Sequence, residues 1–145
     1  MIALPRPHRL SRAEYERLVE LGEFKDRRAE LIRGQIVDSS PPGIRHAWVI
    51  TKLNMLLTPE LKGHALVQMQ CPLAVSDESQ PEPDLAVLEL DDYGQKRPTT
   101  ALLVIEVADS SLAADRRDKA ALYAECGILR PTKLPMLEMA VGDIV

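Results

Sequence analysis

The sequence predicts an α/β domain in which helices pack on a mixed β-sheet. Three observations lead there. Helical patterns flank a group of short apolar runs rather than alternating with them throughout. The run over 101–107, Ala-Leu-Leu-Val-Ile-Glu-Val, is almost wholly apolar, as expected of a central strand covered on both faces. The chain has 145 residues, which fits one domain able to bury its own core.

Each element has a local reason. Ser11 and Glu14 form a capping-box pattern, with Leu10 and Tyr15 as a hydrophobic staple. Tyr15, Leu18 and Val19 follow at helical spacing, and Gly22 stands where a glycine ends a helix. Residues 30–37 place apolar runs on both sides of Arg33-Gly34, which predicts a β-hairpin. A proline-bearing loop follows. Residues 44–57 are helical by the spacing of Val49, Leu53, Leu56 and Leu57, with Pro59 and Gly63 closing the helix. Strands are expected over 65–75, with Pro72 marking an edge or bulge, then over 84–90 and 101–107. A last helix is expected over 112–125, ended by Gly127.

Composition narrows the function classes. The net charge is −4, so binding of nucleic acid has to rest on a local patch and a metal ion rather than on a basic surface. Aromatics make up 3%, so the core is aliphatic. Two cysteines, Cys71 and Cys126, are too few for a disulfide framework or a cysteine-rich zinc site; buried free thiols are expected. Residues 1–10 contain no apolar stretch typical of a signal peptide, and no run reaches the roughly 18–20 residues of a membrane span. A cytoplasmic protein without a membrane partner is the expectation.

Two acids stand out because each lies inside or at the end of an apolar strand. Asp84 follows Pro83 and leads into Leu-Ala-Val-Leu, and Glu106 sits between Ile105 and Val107. Ionised carboxylates are rarely placed there uncompensated. A divalent cation is one compensator, since Mg²⁺ accepts one or two carboxylates plus water and phosphate. An Arg or Lys partner at the rim of the sheet is the other. Alternation puts Leu102, Val104, Glu106 and Ala108 on one face. Glu30 opens the hairpin and His46 opens the second helix; each alone reads as an ordinary surface or capping residue. Asp115, Lys119 and Tyr123 share one face of the last helix, where a surface ion pair is the simplest reading. His8, His46 and His64 lack metal-ligand spacing, and no Ser-His-Asp order, phosphate loop or dinucleotide fingerprint is present.

Taken in order, Glu30-Leu-Ile-Arg-Gly34, Ser40-Pro41, His46, Pro83-Asp84, Ile105-Glu106-Val107, then Asp115, Lys119, Tyr123 and Gly127 resemble the Uma-type family of the PD-(D/E)XK nuclease superfamily over about residues 10–128. The resemblance implies a restriction-endonuclease-like fold, a central mixed sheet flanked by helices, over residues 1–128. It implies that Asp84 and Glu106 are catalytic and ligate Mg²⁺ or Mn²⁺, with Lys119 as the catalytic lysine and Glu30, His46 and Asp115 as additional site residues. The implied activity is Mg²⁺-dependent endonucleolytic hydrolysis of phosphodiester bonds in nucleic acid, DNA before RNA; the alternative is a catalytically inactive binding or interaction module with the same fold. Two departures accompany the match. Ala108 stands where a lysine two residues after Glu106 would be, so the lysine role moves to Lys119 on the following helix. Pro131 and Pro135 interrupt the expected C-terminal strand, so residues 129–145 read as an atypical tail that leaves a sheet edge open and favours a homo-oligomer.

Overall fold

The computed structural model describes residues 4–39, 41–107 and 113–128, with side chains of the last helix described from Asp118 onward. Helix α1 spans Arg12–Glu20. Its capping box is formed as predicted: Ser11 Oγ accepts from the Glu14 amide at 3.2 Å, and Glu14 Oε2 accepts from the Ser11 amide at 2.7 Å. Tyr15 fastens α1 to the hairpin. Its ring stacks on Phe24 with centroids 5.4 Å apart, and its buried hydroxyl donates to the Ala29 carbonyl at 2.7 Å.

The hairpin consists of β1 (Arg28–Ile32) and β2 (Gln35–Ser39), paired antiparallel with Ile32 opposite Gln35. Its turn residues Arg33 and Gly34 both have positive φ, 50° and 76°, the requirement of a two-residue turn that matches strand twist. The hairpin is anchored to the rest of the chain by Gln80 N–H to Leu31 O at 2.7 Å and by Arg33 N–H to Ser79 Oγ at 2.9 Å.

Helix α2 runs Ile44–Leu61, past the end that Pro59 suggested. Proline in the last turn removes one amide hydrogen bond, worth about 0.5–1.5 kcal/mol. Complete burial of Leu61 contributes about 1.5–3 kcal/mol and outweighs it. The buried stripe is Ile50, Leu53, Leu57 and Leu61, so Leu56 faces outward instead.

Strands β3 (Ala65–Met69), β4 (Leu85–Glu89) and β5 (Leu103–Ile105) form an antiparallel sheet in that order. The strand expected over 65–75 stops at Met69 because Gln70 adopts φ 48°, which no extended strand accommodates. The fully buried centre is β4, not 101–107: Leu85 to Leu88 are all buried, whereas β5 is half-buried and shorter than its apolar run. Helix α3 (Ala113–Glu125) ends in a Schellman motif, with Ile128 N–H to Tyr123 O at 3.0 Å, Gly127 N–H to Ala124 O at 3.1 Å and φ 75° at Gly127.

The architecture is the predicted α/β arrangement of sheet and flanking helices. Among the described residues its strands form two small antiparallel sheets, and an isolated bridge joins Leu31 of β1 to Gln80 in the loop before β4. Alternation along β4 divides the core. Leu85 and Val87 face α2, packing with Leu53 and Leu57. Ala86 and Leu88 face α3, packing with Val104, Tyr123 and Ile128. Cys71 and Cys126 are free but half-buried, because each lies at the margin of these layers rather than inside them. Among the described residues no helix is long and apolar enough to cross a membrane. The expected boundary at 128, the tail over 129–145 and its open edge lie outside the described residues.

Candidate active site

The site draws on five elements: the start of β4, the end of β5, the first turn of α2, one face of α3 and the middle of β1. Pro83 is fully buried and Asp84 follows it, just before β4. Because Leu85 pairs with Ile105, one further step of the same register sets Asp84 against Glu106. A direct bond supports this: the Val107 amide donates to Asp84 Oδ2 at 2.7 Å. Asp84 Oδ1 lies 2.9 Å from His46 Nε2, which comes from the first turn of α2.

Glu106 lies immediately beyond β5. Its Oε1 accepts from Tyr123 OH at 2.8 Å and from Lys119 Nζ at 3.3 Å. Lys119 and Tyr123 are one turn apart on α3, so a single helix face delivers both donors. Lys119 Nζ also donates to Glu30 Oε1 at 2.8 Å. Glu30 is buried within β1 and accepts additionally from the Glu82 amide at 2.6 Å and from Ser39 Oγ at 3.1 Å.

Glu30 and Glu106 thus share one ammonium, and Asp84, opposite Glu106, meets one imidazole. Burial pushes the Glu106 carboxyl above its ordinary value; Lys119 and Tyr123 pull it back without cancelling the shift, and Asp84 and Glu30 add to it. Burial opposes the charge on Lys119, but attraction to Glu106 and Glu30 outweighs it and the ammonium titrates above its usual range. Tyr123 is raised by burial and by Glu106, so it serves as a neutral donor. Glu82 is likewise raised, chiefly by burial.

The structure brings together Asp84, Glu106, Lys119, Glu30 and His46. The side chain of Asp115 lies outside the described residues. Lys119 reaches inward to Glu30 and Glu106, not along a solvated helix face as a surface pair would. Sequence reasoning gave no role to Tyr123, although its spacing from Lys119 marked it, and none to Ser39 or the Glu82 amide, which carried no signal. Among the described residues no group of three or more His, Cys, Asp and Glu side chains has the arrangement of a metal site. The donor chemistry of the Asp84–Glu106 pair nevertheless fits a hard cation: two carboxylates suffice for Mg²⁺ when water and phosphate complete its shell. The surplus of negative charge over Lys119 favours such an ion electrostatically.

Residues 12–130 match the Uma2 family model, described as "Putative restriction endonuclease". Among solved structures, the chain is similar to "a putative nuclease belonging to DUF820" from Anabaena variabilis, with a TM-score of 0.63 and 15% identity over 81% of this chain and 67% of that one. At that identity the likeness speaks for the fold. No curated protein matches the chain. A family model spanning 119 of 145 residues, on a fold shared with that neighbour, shows that the chain belongs to the Uma2 family.

Proposed function

We propose that the chain is a Mg²⁺- or Mn²⁺-dependent endonuclease that hydrolyses phosphodiester bonds, in DNA before RNA. The observation that carries this reading is the meeting of Asp84 and Glu106 at one end of the β4–β5 ladder, with the Lys119 ammonium beside them. Asp84 and Glu106 would hold the cation. Bound there, it would neutralise phosphate charge and polarise the attacking water. Lys119 would stabilise negative charge on the phosphate as it develops. His46 and the Val107 amide fix the two oxygens of Asp84, and Tyr123 fixes Glu106, so both carboxylates are oriented before substrate arrives. Water oxygen bonds to phosphorus, the bond from phosphorus to the 3′ oxygen breaks, and that oxygen leaves with a proton, giving 3′-hydroxyl and 5′-phosphate ends.

The test is cleavage of supercoiled and linear DNA, with single-stranded RNA in parallel, in Mg²⁺, Mn²⁺ or EDTA. The expected result is metal-dependent cleavage lost in Asp84→Asn and Glu106→Gln and sharply lowered, but still measurable, in Lys119→Met. Equal cleavage in EDTA, or by the two carboxylate variants, overturns it. A second reading, a catalytically silent binding module, is favoured by one observation: Lys119 already hydrogen-bonds Glu106 and partly offsets the charge that would attract an ion. DNA bound equally with and without EDTA, and never cut, is its signature.

A further inference from the structure

We propose that Glu30 is a positioning residue that keeps the Lys119 ammonium in the site independently of Glu106, leaving Glu106 free for the cation. The inference rests on the nuclease reading above for the roles of Lys119 and Glu106. Lys119 Nζ is closer to Glu30, at 2.8 Å, than to Glu106, at 3.3 Å. Glu30 is 3% exposed, and both of its oxygens are engaged: Oε1 by the Glu82 amide and Lys119, Oε2 by Ser39 Oγ. A carboxylate offers about four lone-pair sites, so three donors leave Glu30 little capacity as a metal ligand.

The physical need is plain. A cation at Glu106 competes with Lys119 for the same oxygen and repels it. A lysine dependent on Glu106 alone would leave the site when the ion enters, yet a half-buried ammonium requires a compensating carboxylate. Glu30 supplies one from the β1–β2 hairpin, a sheet separate from the one whose strands β4 and β5 Asp84 and Glu106 flank. The hairpin thereby sets where the lysine sits.

The experiment follows the ¹⁵N signal of the Lys119 ammonium by NMR in the metal-free protein, and Mn²⁺ binding by electron paramagnetic resonance, in wild type, Glu30→Gln, Glu106→Gln and Ser39→Ala. The Nζ signal should exchange slowly in wild type and in Glu106→Gln, and vanish into fast exchange in Glu30→Gln. Mn²⁺ affinity should fall at least about tenfold in Glu106→Gln, the scale on which even outer partners of ligands act, and far less in Glu30→Gln. A protected signal in Glu30→Gln, or equal loss of Mn²⁺ in the two Gln variants, overturns the proposal. Should Glu30→Gln fail to fold, Ser39→Ala decides: faster Nζ exchange at unchanged Mn²⁺ affinity supports the role, and unchanged exchange overturns it. On cleavage, Glu30→Gln combined with Lys119→Met should be no slower than Lys119→Met alone; additive losses overturn the coupling. A wild type that never cleaves defeats the nuclease reading, while the ammonium and Mn²⁺ measurements still judge Glu30.

Discussion

His46 Nε2 lies 2.9 Å from Asp84 Oδ1, so the first turn of α2 and the start of β4 meet at one carboxylate. The imidazole donates to one oxygen of Asp84, while the Val107 amide holds the other. Replacing His46 with Ala should lower metal-dependent cleavage by roughly 10–100-fold, the usual cost of losing a partner that orients a ligand. The loss of thermal stability should be smaller than that of a core truncation, because the Val107 amide still holds the other Asp84 oxygen. Cleavage assays and melting curves on His46→Ala check both halves. A Tm loss as large as that of a core truncation would make His46 a structural residue.

Tyr123 gives the second expectation. It is buried, and its hydroxyl donates to Glu106 at 2.8 Å. A hydrogen bond to a charged group contributes about 1.5–3 kcal/mol, so Tyr123→Phe should destabilise the chain by that order in urea titration. Alkaline absorbance titration gives a second check. Burial pushes Tyr15 up to about 12 and raises Tyr123 and Tyr93 as well, but Tyr93 is only half-buried while the other two are buried, so Tyr93 should ionise first in the native protein. Tyr123→Phe should leave that native titration unchanged. A lost native step would show that Tyr123 is reachable by hydroxide.

What the sequence revealed and what it concealed divide along local and non-local lines. The hairpin was legible because Arg33-Gly34 can adopt two positive φ values, and the capping box at Ser11 because both partners lie three residues apart. Asp84 and Glu106 were legible because one opens an apolar run and the other interrupts one. His46 entered the site only through family resemblance, because its partner is 38 residues away and nothing near it hints at a carboxylate. The site role of Lys119 likewise came from the resemblance, since helix spacing alone suggested a surface ion pair and its contacts to Glu30 and Glu106 cross between elements. The apolar run over 101–107 misled about the sheet. Leu102 lies outside the ladder and packs toward α2, so its apolarity reflects a covered bend rather than a central strand.

Gly34 should tolerate no side chain. It has φ 76°, and a Cβ there would stand 2.7 Å from Arg9 Cβ and 3.3 Å from Arg9 Cα. The left-handed conformation and the contact with backbone act together. Gly34→Ala should cost about 1–3 kcal/mol, the range of backbone strain held in place by its surroundings. Because β1 carries Glu30, the loss should also appear as faster exchange of the Lys119 ammonium. A denaturation midpoint equal to wild type would mean that the hairpin and the segment at Arg9 part without cost.

The last prediction concerns Glu106 and pH. Its carboxyl titrates above the ordinary glutamate value because burial disfavours the charge more than Lys119 and Tyr123 favour it. Below the unfolded-state value, both folded and unfolded chains hold the proton and Glu106 adds no pH dependence. As pH rises between the unfolded and folded values, the folded state retains a proton that the unfolded state has lost, so stability falls. Above the folded value the penalty is complete and constant. Glu106→Gln removes the charge but keeps an oxygen for Tyr123 and Lys119, while Lys119 retains Glu30. The variant should therefore melt at or above the wild-type temperature near about pH 7, with the difference shrinking toward about pH 4 as both states take up the proton. Its cleavage should be lost at every pH, the trade between stability and activity expected of a carboxylate kept in an apolar setting for its chemistry. Melting curves of both proteins across that range decide it. A variant less stable than wild type at neutral pH would mean that Lys119 and Tyr123 favour the ionised carboxylate more strongly than burial opposes it.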